Sequence, residues 1–126
     1  MVMLPAELPK DVRRRAVQPP GLPEGDVAWS RDDALVVLET LEGSIIAVFE
    51  VNVYVVPFGH QDVIDTGRRV TCDYRVGELA VQFAQRSRRA ARDFINAGSS
   101  DELFVLFFSG QDDAEAGHGT VKVRAS

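Results

Sequence analysis

Cysteine and histidine are scarce in this chain of 126 residues, which contains one Cys and two His. A single cysteine, Cys72, excludes an intramolecular disulfide bond and is typical of proteins in a reducing cytoplasm. His60 and His118 fall in separate predicted loops, without the closely spaced Cys or His pairs that structural zinc sites use. The sequence therefore predicts no metal site, and each histidine is expected to be a solvated loop residue.

Long apolar runs and an excess of basic residues are missing as well. No apolar stretch approaches the roughly 20 residues that a transmembrane helix requires, and charged residues interrupt residues 1–15 before a signal-peptide core can form. The formal net charge is −5, whereas binding to nucleic acid phosphates needs clustered Lys and Arg in excess. We therefore expect a cytoplasmic protein that binds neither membranes nor nucleic acid.

Catalytic motifs are also absent from the sequence. No glycine-rich phosphate loop, nucleophile elbow or metalloprotease motif occurs, and the lone Cys72 is expected to pack as a small hydrophobe rather than act as a nucleophile. Asp112, Asp113 and Glu115 lack the alternating ligands and the distal Glu of a calcium loop, so we expect a solvated charge run or an acidic docking edge. The sequence predicts a protein without a cofactor and without enzymatic activity.

The chain does have the composition of an ordinary globular domain. Hydrophobic residues make up 45% and charged residues 26% of the sequence, which is enough apolar material for a core, and the length suits one domain. Residues 1–28 contain five of the six prolines and are expected to form a Pro-rich N-terminal segment with a brief helix over residues 9–16. Residues 29–126 are expected to form the folded body.

A first amphipathic helix is predicted over residues 31–42. Ser30 precedes it as an N-cap, and Asp33 occupies the reciprocal position of a capping box. Apolar residues then recur on one face with a period of 3.6 residues, and Gly43 ends the pattern.

A second amphipathic helix is predicted over residues 76–95. Its apolar residues follow one another at three- and four-residue steps, and Gly98 lies just beyond its end. Arg86, Arg89 and Arg92 lie on its polar side. These arginines are expected to be solvated, to pair with nearby acidic residues, or to receive an acidic partner.

Strands are predicted where β-branched and aromatic residues cluster. The expected segments are a pair of apolar strands at 45–49 and 51–56, a loop or irregular hairpin at 61–69, and strands at 70–74, 103–108 and 121–123. The predicted fold is α+β, a single domain whose sheet of about four or five mostly antiparallel strands packs against the two helices. A homodimer is a further possibility if strand 103–108 lies at the sheet edge.

Three local patterns occur together in the order and spacing of a known family. They are Ala28-Trp29-Ser30-Arg31-Asp32-Asp33-Ala34 running into residues 38–41, Ile45-Ile46-Ala47-Val48 followed by Asn52-Val53-Tyr54, and Gly77-Glu78 followed by Phe83, Arg86-Ser87 and Phe94-Ile95. Over residues 28–96 the chain resembles a family of small bacterial immunity proteins from polymorphic toxin systems, the family numbered forty. Two features differ: Glu50, Val51 and Asn52 replace a glycine pair and an acid, and residues 70–74 lack a tryptophan.

The resemblance implies a cytoplasmic protein that binds a cognate toxin domain and blocks it by occlusion, without catalysis. The candidate partner-binding residues are Glu50, Asn52, Tyr54, Asp73 and Tyr74, which lie near predicted strand ends and have polar tips. A structural alternative stays open for them, with Asn52 as a buried hydrogen-bonded group and Tyr54 as a core aromatic. The alternative function is a ligand-binding or protein-interaction module with another partner.

Overall fold

The computed structural model of the protein describes residues 4–109, which form a four-stranded antiparallel sheet and three helices. In chain order the elements are α1 (Lys10–Arg14), β1 (Trp29–Ser30), α2 (Arg31–Thr40), β2 (Ala47–Val55), β3 (Ile64–Thr71), α3 (Ala80–Asn96) and β4 (Glu102–Ser109). The strand order across the sheet is β1-β4-β2-β3. The predicted α+β fold of a single small domain is thereby confirmed.

The main hydrophobic core lies between one face of the sheet and helices α2 and α3. Leu38 of α2 and Ile95 of α3 are fully buried there against Val51 and Val53 of β2 and Leu106 of β4. These side chains alternate along the two strands, as residues that share one face of a sheet must. The apolar faces of α2 and α3 and the apolar face of the sheet therefore form one core.

Trp29 links the N-terminal segment to this core. Its ring lies edge-on to Phe108 with 6.4 Å between the ring centroids, and its indole nitrogen donates a hydrogen bond of 3.2 Å to the carbonyl oxygen of Val12. The buried indole N–H thus has the partner that it needs. Helix α1, which lies within the segment predicted to be helical, is held against the body through this bond.

A second, smaller hydrophobic cluster covers the opposite face of the sheet. Its buried members are Ala28, Tyr54, Val63, Val105 and Phe107. The N-terminal segment reaches this region, because the backbone N–H of Val63 donates to the carbonyl oxygen of Pro20 at 2.8 Å. Gly21 has a φ of 94°, and a Cβ atom there would lie 2.6 Å from the carbonyl oxygen of Val63. Only glycine permits this close approach.

The prediction of two strands between residues 45 and 56 is wrong, since one continuous strand, β2, occupies this region. The register shifts between Val48 and Glu50 opposite β4, and between Asn52 and Tyr54 opposite β3. These irregularities break the pairing pattern without any turn. At the first of them, the backbone N–H of Val48 donates to the hydroxyl of Ser87 on α3 at 3.0 Å.

The strand predicted over residues 70–74 is also misplaced, because β3 begins at Ile64 and ends at Thr71. Its side chains are mostly exposed, so the polar sequence of this strand carries no hydrophobic alternation. Pairing of its backbone with β2 determines its extent instead. The predicted polar loop is therefore largely an edge strand.

Helix α3, the second predicted amphipathic helix, begins later than predicted, at Ala80 rather than at Val76. Gly77 has a φ of 86°, which no helical residue adopts. The backbone N–H of Leu79, the N-cap residue, donates to the side-chain oxygen of Gln82 at 2.9 Å. Residues 76–79 consequently form a turn in front of the helix.

Helix α2, the first predicted amphipathic helix, begins at Arg31 as predicted. The hydroxyl of Ser30 accepts a hydrogen bond from the backbone N–H of Asp33 at 3.3 Å, which confirms the N-cap. The carboxylate of Asp33 accepts from Arg15 at 3.3 Å, so it ties α2 to the N-terminal segment. The helix ends slightly earlier than predicted, at Thr40.

Strand β4 covers the predicted segment 103–108 but lies between β1 and β2. The condition on which a homodimer through this strand depended, a position at the sheet edge, is not met. Several predictions concern residues outside the range 4–109. They are the strand at 121–123, the acidic residues Asp112, Asp113 and Glu115, and His118. Within that range no helix is long and apolar enough to cross a membrane.

Candidate partner-binding site

The five predicted site residues fall into two separate groups. Glu50, Asn52 and Tyr54 belong to β2, where they share the sheet face opposite the helices with their partners on β4. Asp73 and Tyr74 follow the end of β3, in the segment that leads into α3. The sheet therefore does not bring all five side chains onto one surface.

Asn52 and Tyr54 are buried, with 7% and 5% of their surface exposed. The side-chain oxygen of Asn52 accepts no hydrogen bond from the described residues, and an unsatisfied buried acceptor costs about 1–3 kcal/mol. Glu50 is partly exposed beside Phe107 of β4 and Thr71 of β3. Of the three β2 residues, Glu50 is thus the most accessible to a partner.

The segment 74–81, which we call the apolar turn, exposes four large hydrophobic side chains. Val76 is fully exposed, Tyr74 and Leu79 are more than half exposed, and Val81 is exposed to a lesser degree. Exposed apolar side chains are common singly, but a contiguous group of them indicates an interaction surface. The predicted site residue Tyr74 belongs to this group.

The backbone of the apolar turn is tightly closed. The N–H of Glu78 donates to the carbonyl oxygen of Arg75 at 2.9 Å, and the positive φ of Gly77 at the third position is the geometry of a type II turn. The N–H of Arg75 in turn donates to the carboxylate of Glu78 at 3.1 Å. Val76 therefore stands at the apex of a fixed loop.

A two-pronged ion pair holds this turn against α3. The Nε and Nη2 atoms of Arg86 donate to the two carboxylate oxygens of Glu78, each at 2.7 Å. Bidentate pairs of this kind are among the strongest hydrogen bonds in proteins. The hydrogen bonds from Arg86 hold the pKa of Glu78 at about 2, well below its ordinary value of 4.5. The same pair raises the pKa of Arg86.

Arg86 also fixes the residues just after β3. Its Nη2 atom donates to the carbonyl oxygen of Asp73 at 2.7 Å, and its Nη1 atom lies 3.1 Å from the sulfur of Cys72. The guanidinium carbon lies 5.6 Å from the ring centroid of Phe83, within cation–π range. The backbone of Asp73 is thereby held in place, while its side chain is exposed.

Tyr74 packs on the same ring. Its ring meets that of Phe83 edge-on, with 5.7 Å between centroids, and its hydroxyl donates to the carbonyl oxygen of Glu78. Tyr74 therefore stays more than half exposed while these contacts hold its ring in place. An aromatic ring fixed in this way loses little conformational entropy on binding a partner.

Sequence reasoning missed two charged residues that the structure makes prominent. The helix predicted from residue 76 includes Glu78, and two helical residues eight positions apart are too distant to form an ion pair, so the sequence does not predict the pairing of Glu78 with Arg86. Arg88 lies in the buried helix face with Ala84, Ala91 and Ile95, and this spacing was a signal available in the sequence. The predicted apolar stripe also includes Phe83, Ala90 and Phe94, which are only partly buried.

Other chemistry-bearing residues are dispersed. Residues 4–109 contain no group of three or more His, Cys, Asp or Glu that could hold a metal ion. His60 and Cys72 lie beyond opposite ends of β3, so the structure does not bring these two residues together as a nucleophile and its base.

Comparisons of the chain with protein-family models, with curated proteins and with solved structures return no match.

Proposed function

We propose that this protein is a cytoplasmic immunity protein that binds a cognate bacterial toxin domain and blocks it without catalysis. The observation that carries the proposal is the apolar turn, an exposed hydrophobic projection with a fixed backbone. Residues Gly77, Glu78, Phe83 and Arg86, on which part of the family resemblance rests, are the ones that build this turn. The resemblance and the exposed surface thus support the same segment.

The apolar turn suits inhibition by occlusion. Val76 and Leu79 would enter an apolar depression of the toxin, and the ring of Tyr74 would pack at its margin, as buried aromatic and apolar anchors do in other interfaces. The Arg86–Glu78 pair fixes the turn before binding, which reduces the entropy lost in the complex. The carboxylate of Asp73 beside this turn would complement a basic toxin surface and favour correct orientation.

The β2 residues receive different roles in this proposal. Asn52 and Tyr54 are buried, so we assign them to the packing of the sheet rather than to direct contact. Glu50 is partly exposed and would contribute only if the toxin extended from the apolar turn across the end of the sheet. Asp73 and Tyr74 remain the predicted contacts.

The test is capture from the native host lysate with the purified protein, followed by growth rescue with the captured domain. We expect capture of one toxin domain whose lethality co-expression of this protein relieves. If the captured protein is not toxic, or if no rescue occurs, the immunity proposal is wrong. Stable capture of a non-toxic protein would favour the alternative, an interaction module with another partner.

Two matched variants test the surface itself. Val76→Asp places a charge at the apex of the apolar turn, and Phe58→Asp does the same at another fully exposed side chain, in the loop between β2 and β3. Neither side chain contributes to the core, so both variants should fold. We expect Val76→Asp to abolish capture and rescue, and Phe58→Asp to retain both. The opposite pattern would move the contact surface to the β2–β3 loop.

A further inference from the structure

A cleft lies beside α3, and arginine side chains dominate its lining. Its lining residues are Glu42, Gln85, Arg88, Arg89 and Arg92, and its volume is about 170 Å³. We call it the arginine cleft. A cavity of about 150 Å³ accommodates a benzene molecule, so the arginine cleft has room for one small polyatomic ion.

Arg88 brings a buried positive charge to the cleft. Only 2% of its surface is exposed, and its Nη1 atom donates to the carbonyl oxygens of Ser44 and Ile46 at 3.0 Å and 2.6 Å. Its Nε and Nη2 atoms are also buried and have no hydrogen-bond partner among residues 4–109. A buried charge that lacks a counter-ion is costly, and burial accordingly lowers the pKa of Arg88.

The charges around the arginine cleft do not balance. Glu42 is the one carboxylate in the lining, and its oxygen already pairs with Nη2 of Arg92 at 3.1 Å. Arg89 is exposed and forms no ion pair with any residue of the described range. Three guanidinium groups against one carboxylate leave two positive charges uncompensated, in a chain whose net charge is −5.

We propose that the arginine cleft binds a dianionic phosphate group. A phosphate monoester carries a charge of about −1.5 to −2 at pH 7 and offers three acceptor oxygens, which matches the two uncompensated positive charges. Arg89, Arg92 and Gln85 supply the accessible donors. The charge of Arg88 acts from beneath them, where the low dielectric constant strengthens its attraction.

A carboxylate fits the arginine cleft less well, because its single negative charge leaves one positive charge uncompensated. The proposal is independent of the proposed immunity function, since no residue of the arginine cleft belongs to the apolar turn. Each can therefore fail without the other.

The test is a titration of the ¹⁵N-labelled protein with inorganic phosphate at pH 7, with sodium chloride holding the ionic strength constant. We expect saturable shifts in the Nε–H signals of Arg89 and Arg92. Arg89→Gln should weaken binding about tenfold, the loss expected for one charge-assisted hydrogen bond. Arg14→Gln, which removes an exposed charge of α1 outside the cleft, should leave the affinity unchanged. Arg88 is left intact because its loss would also unpair the carbonyls of Ser44 and Ile46.

Parallel titrations with glycerol phosphate and with acetate define the ligand. Tighter binding of glycerol phosphate than of inorganic phosphate would identify an ester as the source of the group, and the reverse would identify the free ion. The proposal is overturned if no shift exceeds that of chloride at equal ionic strength, if acetate binds as tightly as phosphate, or if Arg14→Gln weakens binding as much as Arg89→Gln.

Discussion

Arg86 and Glu78 form a bidentate ion pair, with two hydrogen bonds of 2.7 Å, although they lie eight positions apart and Glu78 precedes the helix that contains Arg86. The pair joins the interior of α3 to the turn that precedes it. Because the carboxylate is held in its charged form, the conformation of the apolar turn is linked to the ionisation of one side chain.

Lowering the pH should reduce the free energy of unfolding through protonation of Glu78. Its pKa in the folded protein is about 2, below its ordinary value of 4.5, so its contribution to stability is complete above about pH 4.5 and is lost as the pH falls toward 2. Denaturant midpoints measured across this interval should fall less steeply for Glu78→Gln than for the wild type. Glu39→Gln, which removes an exposed carboxylate of α2, is the control and should keep the wild-type slope. A Glu78→Gln variant with the full wild-type acid dependence would contradict the prediction.

Gly77→Ala should disturb the apolar turn. Its φ of 86° lies in the left-handed region, although a Cβ atom there would meet no neighbour within 4 Å. The backbone penalty for a non-glycine residue is about 1–2 kcal/mol, which urea denaturation measures directly. Gly59→Ala is matched in φ and in free space, but lies in the β2–β3 loop. Both variants should lose similar stability, and only Gly77→Ala should weaken capture of the proposed toxin; equal capture by both would contradict a role for the turn.

Ser87→Ala should cost more stability than its size suggests. The buried hydroxyl accepts from the backbone N–H of Val48 and donates to the carbonyl oxygen of Ala84, each at 3.0 Å. Its removal leaves the N–H of Val48 without this bond, a loss of about 1–3 kcal/mol in the free energy of unfolding. Ser100→Ala, at an exposed position, should change that free energy by less than about 0.5 kcal/mol. Equal values for the two variants would mean that the bond to Val48 is replaced.

Gly21→Ala should loosen the N-terminal segment. A Cβ atom at this position would lie 2.6 Å from the carbonyl oxygen of Val63 and 3.0 Å from its nitrogen, so backbone must move in addition to the strain of the positive φ. We expect a loss of about 1–3 kcal/mol from overpacking, and a larger loss than for Gly59→Ala. Amide hydrogen exchange should quicken at Val63, whose N–H donates to Pro20; unchanged exchange there would show that the contact persists.

The helices and the fold class could be predicted from the sequence because apolar periodicity reports burial directly. The buried face of α3 around Ser87 and Ala91 follows from it, whereas the cap at Ser30 follows from the hydroxyl of the residue before the helix. Strand β3 could not be located in the same way, since it is a polar edge strand whose extent depends on pairing with β2. The single course of β2 was missed because the charged Glu50 interrupts the apolar pattern, although it lies within the strand and is paired on both sides.

The candidate site was only partly predictable, for a related reason. Tyr74 and Asp73 are predicted contacts because of their polar tips near a strand end, and both are exposed in the segment after β3. Glu78 and Arg86, which support these two residues, make a contact between the turn and α3 that no spacing rule predicts. Arg88 lies on the apolar face of a helix, where pattern reasoning expects hydrophobic residues and therefore overlooks a charge.

The position of β4 determines when this protein can fold during its synthesis. Phe104 pairs with Trp29 of β1 on one side and with Val53 of β2 on the other, so β1 joins the sheet only through β4. The sheet is therefore completed by contacts distant in sequence, which form slowly. On the ribosome, the edge of β2 that pairs with β4 stays unpaired until residues 102–109 have left the exit tunnel, and chaperones can bind the incomplete sheet during that interval.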